Sequence, residues 1–229
     1  MLIRIKINSK QFKLRKGDKS VVKVKICGLK RVQDIEIVNN FRPDYIGFVF
    51  TPSERQIDLE TAKKLKRLLH PSIKSVGVFV NEPPESIIKY EAEGVIDSIQ
   101  LHGNEDIVYL KTLKKTSKLP IIKAFRINSG RTLEESLLGD RKLLESEIID
   151  YVLLDSYHPV SYGGNGECFN WEILKNIYRP YFLAGGIGVD NVQEALKYRP
   201  YAIDVSSKVE KEGIKDTDKI KELMDQLRK

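Results

Sequence analysis

Eight short apolar runs rich in β-branched residues recur along the 229-residue chain, each followed by a longer stretch with helical spacing. The runs are VKVKIC (22–27), DYIGFVF (44–50), KSVGVFV (74–80), IDSIQLH (96–102), PIIKAFR (120–126), DYVLLDS (150–156), YFLAGG (181–186) and YAIDVSS (201–207). Between them, segments such as LETAKKLKRLL (59–69), PESIIKYEAEG (84–94), VDNVQEALKY (189–198) and TDKIKELMDQLR (217–228) repeat apolar residues at i, i+3, i+4 and i+7. Near-continuous Val, Ile, Leu and Phe suit strands covered on both faces, and strict alternation with helices implies parallel pairing through right-handed crossovers. Eight such units in a chain near the typical length of about 250 residues point to one closed (β/α)8 barrel. An open dinucleotide-binding sheet would carry GxGxxG after its first strand, where this chain has KICGLKR.

The formal net charge of +7 raises the question of a nucleic-acid partner, and its distribution answers it. Residues 1–25 hold nine basic side chains against Asp18 alone, so of the 39 basic and 32 acidic residues in all, the other 204 positions carry 30 and 31. A body so balanced lacks the broad basic face that a phosphate backbone demands, and no nucleic-acid partner is expected. The excess belongs to a basic N-terminal extension over 1–21, in which LIRIKI and QFKL could pair as a hairpin; residues 22–229 form the barrel domain. No apolar run reaches the roughly 18 residues of a membrane span, and the N-terminus has no apolar signal core, so a cytoplasmic protein with no membrane partner is expected. Cys27 and Cys168 are the only cysteines and lie far apart, suggesting neither a disulfide framework nor a thiolate metal site.

Barrels of this class carry their chemistry at the C-terminal ends of the strands. There stand Cys27, Phe50 with Ser53 and Arg55 just beyond, Asn81, Gln100 and His102, Arg126, Asp155, Gly185 and Gly186, and Ser206 and Ser207. Small residues after the seventh and eighth strands are where barrels commonly bind phosphate through backbone N–H groups, which implies a phosphorylated small molecule. Cys27 and Asp155 close strands one and six, across the mouth from each other, as a general base and a general acid on opposite faces of a substrate would. Taken alone, each also has a plainer role: a Gly pair as a turn, a Cys as a small buried hydrophobe, an Asp as the cap of a turn.

Taken together, KICGL (25–29), DYIGFVF with SERQI (44–57), VGVFVNEP (76–83), QLHGNE (100–105), LLDS (153–156), YGGNGECFNW (162–171), LAGGI with NV (183–192) and DVSSKVE with GIKD (204–216) resemble the phosphoribosylanthranilate isomerase family of tryptophan biosynthesis. The resemblance runs from about Lys23 to the C-terminus. It implies an aldose–ketose isomerase, using no metal or organic cofactor, that performs the Amadori rearrangement of N-(5-phosphoribosyl)anthranilate to 1-(2-carboxyphenylamino)-1-deoxyribulose 5-phosphate. By the same resemblance Cys27 is the general base at sugar C2 and Asp155 the general acid that protonates the ring oxygen. Arg55 would hold the anthranilate carboxylate, and Gly185, Gly186, Ser206 and Ser207 the phosphate.

The chain departs from the family pattern in three places. Gly163-Gly164-Asn165-Gly166 stands where GGTG or GGSG is usual, and Phe169-Asn170-Trp171 replaces FDW. Lys208 replaces the Gly of SSGVE, which would strain the backbone if φ > 0 were needed there; its ammonium could instead reach the phosphate or point to solvent. His102 is expected to be a structural hydrogen-bonding residue. The nearest alternatives are other phosphosugar-binding (β/α)8 barrels. Indole-glycerol-phosphate synthase wants a catalytic Lys and Glu set at strand ends, and ribulose-phosphate epimerase wants His and Asp metal ligands, whereas only His70, His102 and His158 occur. An alternative of a different class is a non-catalytic protein binding nucleic acid through its basic N-terminus.

Overall fold

The computed structural model describes residues 22–128, 135, 140–156, 168–177 and 179–228. The basic extension, with the hairpin expected there, lies outside these, as do residues 163–166. Eight parallel strands close into a barrel in sequence order: β1 (Lys23–Cys27), β2 (Tyr45–Val49), β3 (Lys74–Phe79), β4 (Ser98–Leu101), β5 (Ile121–Ile127), β6 (Tyr151–Ser156), β7 (Tyr181–Leu183) and β8 (Ala202–Val205). Pairing of β8 with β1, Asp204 beside Lys25 and Val205 beside Ile26, completes the ring.

Outside the barrel run α1 (Val32–Phe41), α2 (Leu59–Leu68), α3 (Pro84–Ala92), α4 (Ile107–Thr116), α5 (Arg141–Leu144), α6 (Val192–Leu196) and α7 (Thr217–Leu227). Several start where an aspartate caps free N–H groups: Asp58 accepts from Thr61 N, Asp106 from Tyr109 N and Asp216 from Lys219 N. Two crossovers differ from the sequence expectation. Between β6 and β7 the described residues contain a 3-10 turn, Trp171–Asn176, capped by Asn170, and the helix expected over 189–198 is the five-residue α6. Between β8 and α7 come a short 3-10 turn, Ser207–Val209, and a hairpin of β9 (Glu210–Lys211) and β10 (Ile214–Lys215). No helix among the described residues is long and apolar enough to cross a membrane.

Period-two alternation divides the side chains between two cores. Ile26, Ile46, Phe48, Ile99, Ile121, Val152 and Ile203 pack outward against the helices. Val76, Ile122, Leu153, Phe182 and Ala202 fill the barrel interior. Tyr45, Tyr151 and Tyr201 pack under this inner cluster at the N-terminal end, and the Tyr45 and Tyr201 hydroxyls lie 2.9 Å apart. The inner stack is closed from below, and what remains open is the C-terminal mouth.

Candidate active site

A cavity of about 690 Å3 opens at that mouth, within the usual size of a small-molecule site. Every residue assigned a role on the sequence lines it: Cys27, Arg55, Asp155, Gly185, Gly186, Ser206 and Ser207. Gln100, His102, Asp204 and Lys208 line it as well. Phe50, Asn81 and Arg126, also strand-end residues, do not: Phe50 packs on the rings of Phe79 and Tyr90. Asn81 turns out of its strand at φ 53° and accepts from Asn104 N at 2.8 Å, and Arg126 reaches back to the carbonyl of His102 at 3.5 Å.

Cys27 ends β1 with its sulfur over Gly47 of β2; a methyl group on Gly47 would lie 2.5 Å from Sγ. Burial pushes the thiol above its ordinary pKa, while the Lys25 ammonium pulls it down, followed by that of Lys215. Cys168 is a separate free thiol, exposed, accepting from Asn191 Nδ2 at 3.2 Å.

Asp155, on the inner face of β6, is buried and approaches His102, whose Nε2 lies 3.2 Å from Oδ2 without the alignment of a full hydrogen bond. On its other side His102 Nδ1 meets Gln100 Nε2 at 2.9 Å, and the tautomer follows from how that amide is oriented. Gly185, at φ 86°, leaves room for this carboxylate: a Cβ there would stand 2.9 Å from Asp155 Oδ1 and 2.4 Å from Ser156 Oγ.

The loops after β7 and β8 touch, the Lys208 stem lying against Gly188. Asn191 knits the first of them, accepting from Gly188 N and donating to the carbonyl of Gly186. The Ser206 hydroxyl is committed to the carbonyl of Cys27 at 3.1 Å, so its side chain ties β8 to β1 rather than standing free for a ligand. Lys208 is exposed and has an ordinary backbone, since the non-glycine residues with positive φ among those described are Arg42, Asn81, Arg199 and Glu212. The glycine usual at this place is therefore not demanded by conformation.

Four charged residues of the site escaped sequence reasoning. Lys25 and Asp204 form a buried ion pair of 2.8 Å inside the barrel, and Glu210 joins Arg55 to Lys215. The available signal was a charge at an inward position of a buried strand: Lys25 two residues before Cys27, Asp204 two before Ser206. Among the described residues no group of three or more His, Cys, Asp or Glu is placed to hold a metal ion.

Residues 24–226 match the family model of N-(5'-phosphoribosyl)anthranilate (PRA) isomerase. The chain belongs to the PRA isomerase family. The PRA isomerase of Endomicrobium trichonymphae is 43% identical over 90% of this chain and 98% of its own length, and that of Caldanaerobacter subterraneus 43% identical over 91% and 98%. The crystal structure of the PRA isomerase from Thermotoga maritima superimposes with a TM-score of 0.78 at 33% identity, covering 90% of this chain and 98% of that one. A further PRA isomerase structure, TM-score 0.74 at 31% identity over the same shares, is a complex with reduced 1-(o-carboxyphenylamino)-1-deoxyribulose 5-phosphate. The match omits only Lys23 and Leu227 from the strands and helices of the described barrel.

Proposed function

We propose that this barrel catalyses the Amadori rearrangement of N-(5-phosphoribosyl)anthranilate to 1-(2-carboxyphenylamino)-1-deoxyribulose 5-phosphate in tryptophan biosynthesis, with Asp155 as general acid and Cys27 as general base. The observation that carries the reading is the presence of these two proton-transfer groups, from β1 and β6, in one cavity with Arg55 and the two small-residue loops, in a chain of this family.

In the first step Asp155 gives its proton to the furanose ring oxygen. The bond from that oxygen to C1 breaks, and the nitrogen lone pair forms the C1=N bond of an iminium. In the second, the Cys27 thiolate takes the proton from C2 and the electron pair flows to nitrogen, leaving an enolamine. Ketonisation then moves a proton to C1 and releases the C2 hydroxyl proton, so reactant and product have the same composition. Arg55 presents a planar guanidinium, suited to the anthranilate carboxylate. The adjoining loops after β7 and β8 offer backbone N–H groups at Gly185, Gly186 and Ser207 to the phosphate, with Lys208 at the rim. Since the Ser206 hydroxyl is engaged by Cys27, Ser206 contributes through its backbone.

The test is turnover of phosphoribosylanthranilate, followed by loss of anthranilate fluorescence and by chromatographic identification of the ketose. Turnover that survives in both Cys27→Ala and Asp155→Asn would dispose of the assigned roles. No turnover by the wild-type protein would dispose of the reaction itself.

A further inference from the structure

We propose that Lys25 is a positioning residue for proton transfer at Cys27, its ammonium held beneath the sulfur by Asp204 so that the thiolate is stabilised within the barrel. The proposal rests on the reading of Cys27 as the base.

Lys25 and Cys27 are two residues apart on β1 and so share its inward face. Lys25 is wholly buried, in a layer that barrels ordinarily fill with branched apolar side chains. A cation there is costly unless paired, and replacing such a pair by apolar residues is often neutral or stabilising, so fold stability alone does not account for it. Its hydrogen-bond partner is Asp204 Oδ2, at 2.8 Å. Despite its burial, the attraction of Asp204 holds the Lys25 ammonium above its usual pKa, so it stays charged.

A thiol in this position needs such a neighbour. Burial raises the Cys27 pKa, and a base must surrender its proton before it can take one from C2. The charged groups that act on Cys27 are Lys25 from its own strand, Asp204 from β8, Lys215 from β10 and Arg55 from the loop after β2. Lys215 and Arg55 are both engaged by Glu210, which tempers their pull. The attraction of Lys25 exceeds the opposing repulsion of Asp204, which makes Lys25 the strongest of the four. Asp204 thus has two opposite effects: it keeps the lysine charged and in place, and it disfavours the thiolate.

The test reads the thiol directly. In a Cys168→Ser background Cys27 is the only cysteine, and its titration can be followed by thiolate ultraviolet absorbance and by the pH dependence of iodoacetamide alkylation. Lys25→Met is expected to move the midpoint up by about one pH unit, a tenfold loss of thiolate at fixed pH. Its kcat should fall by a similar factor at neutral pH and recover as pH rises, with KM little changed, and Lys25→Arg should restore the midpoint. Lys25→Gln, which can keep a hydrogen bond to Asp204 without the positive charge, is expected to move it up as well, and this arm decides the matter if Lys25→Met fails to fold. A midpoint equal to wild type in whichever of Lys25→Met and Lys25→Gln folds would overturn the proposal. Failure of the base assignment would show elsewhere, as turnover retained in Cys27→Ala.

Discussion

Arg55 and Glu210 meet edge to edge: Nε donates to Oε1 at 2.9 Å and Nη2 to Oε2 at 2.6 Å, fastening the loop after β2 to the hairpin after β8. Lys215 donates to the same Oε1 at 2.6 Å, and the two cations hold the Glu210 carboxyl below its usual pKa although burial works against its charge. Glu210 takes one edge of the guanidinium and leaves the Nη1–Nη2 end for a second carboxylate. The residue proposed to bind substrate is thus oriented before substrate arrives.

Glu210 is expected to matter for stability more than Arg55 does. Glu210→Ala strands the buried Lys215 ammonium and should destabilise the fold by about 3–5 kcal/mol, whereas after Arg55→Ala the carboxylate keeps Lys215. Urea unfolding compares the two. Arg55→Ala should act mainly on KM, with Arg55→Lys intermediate, since the charge survives and the fork is lost. Equal KM values for the two Arg55 variants would show that bidentate geometry is irrelevant there.

For the proton-transfer groups, Cys27→Ala and Asp155→Asn should each lower kcat by about 10²–10⁴-fold with smaller effects on KM. Gly47→Ala should also lower kcat, because its new methyl group would displace the Cys27 sulfur. Cys168→Ser should keep full activity. Steady-state kinetics on the four variants is the check, and a value within tenfold of wild type for either of the first two would count against that residue.

Lys208 has its stem on Gly188 and makes no hydrogen bond among the described residues, leaving its ammonium at the rim of the cavity. An exposed charge of this kind contributes about 0.2–1 kcal/mol, so Lys208→Gly should weaken inorganic phosphate binding by about 1.4- to fivefold. The difference should vanish at high salt as the charge is screened. Calorimetric titration at low and high ionic strength measures both. A loss that persists in high salt would place the ammonium in a desolvated contact instead.

The tyrosines that close the barrel from below set an alkaline limit. Burial, helped by the Tyr45 hydroxyl, pushes Tyr201 from 10.0 up to about 12, so the folded chain keeps a proton that the unfolded chain gives up earlier. The corresponding stability is fully present below about pH 10 and is lost as pH rises toward 12. Tyr201→Phe should be less stable than wild type at neutral pH, having lost the hydroxyl contact, yet should decline less steeply between pH 10 and 12. Thermal unfolding across that window tests this, and parallel curves for the two proteins would remove Tyr201 from the explanation.

The barrel was legible in the sequence because its determinants are local: each strand announces itself by a β-branched run, and eight alternations leave one economical way to bury them. The ends of those runs placed Cys27, Asp155, Gly185, Gly186 and Ser206 at one mouth by topology alone, and the loops just beyond them placed Arg55 and Ser207. Only the tertiary structure decided which strand-end side chains enter the cavity, since the left-handed turn at Asn81 and the reach of Arg126 to the His102 carbonyl depend on neighbours from other loops. Only ring closure could bring Lys25 against Asp204, 179 residues away, or Arg55 against Glu210, 155 residues away. Hydrophobic periodicity is written within a dozen residues and survives inspection of a single chain. A buried charge acquires its meaning from its partner, and the partner is chosen by the fold.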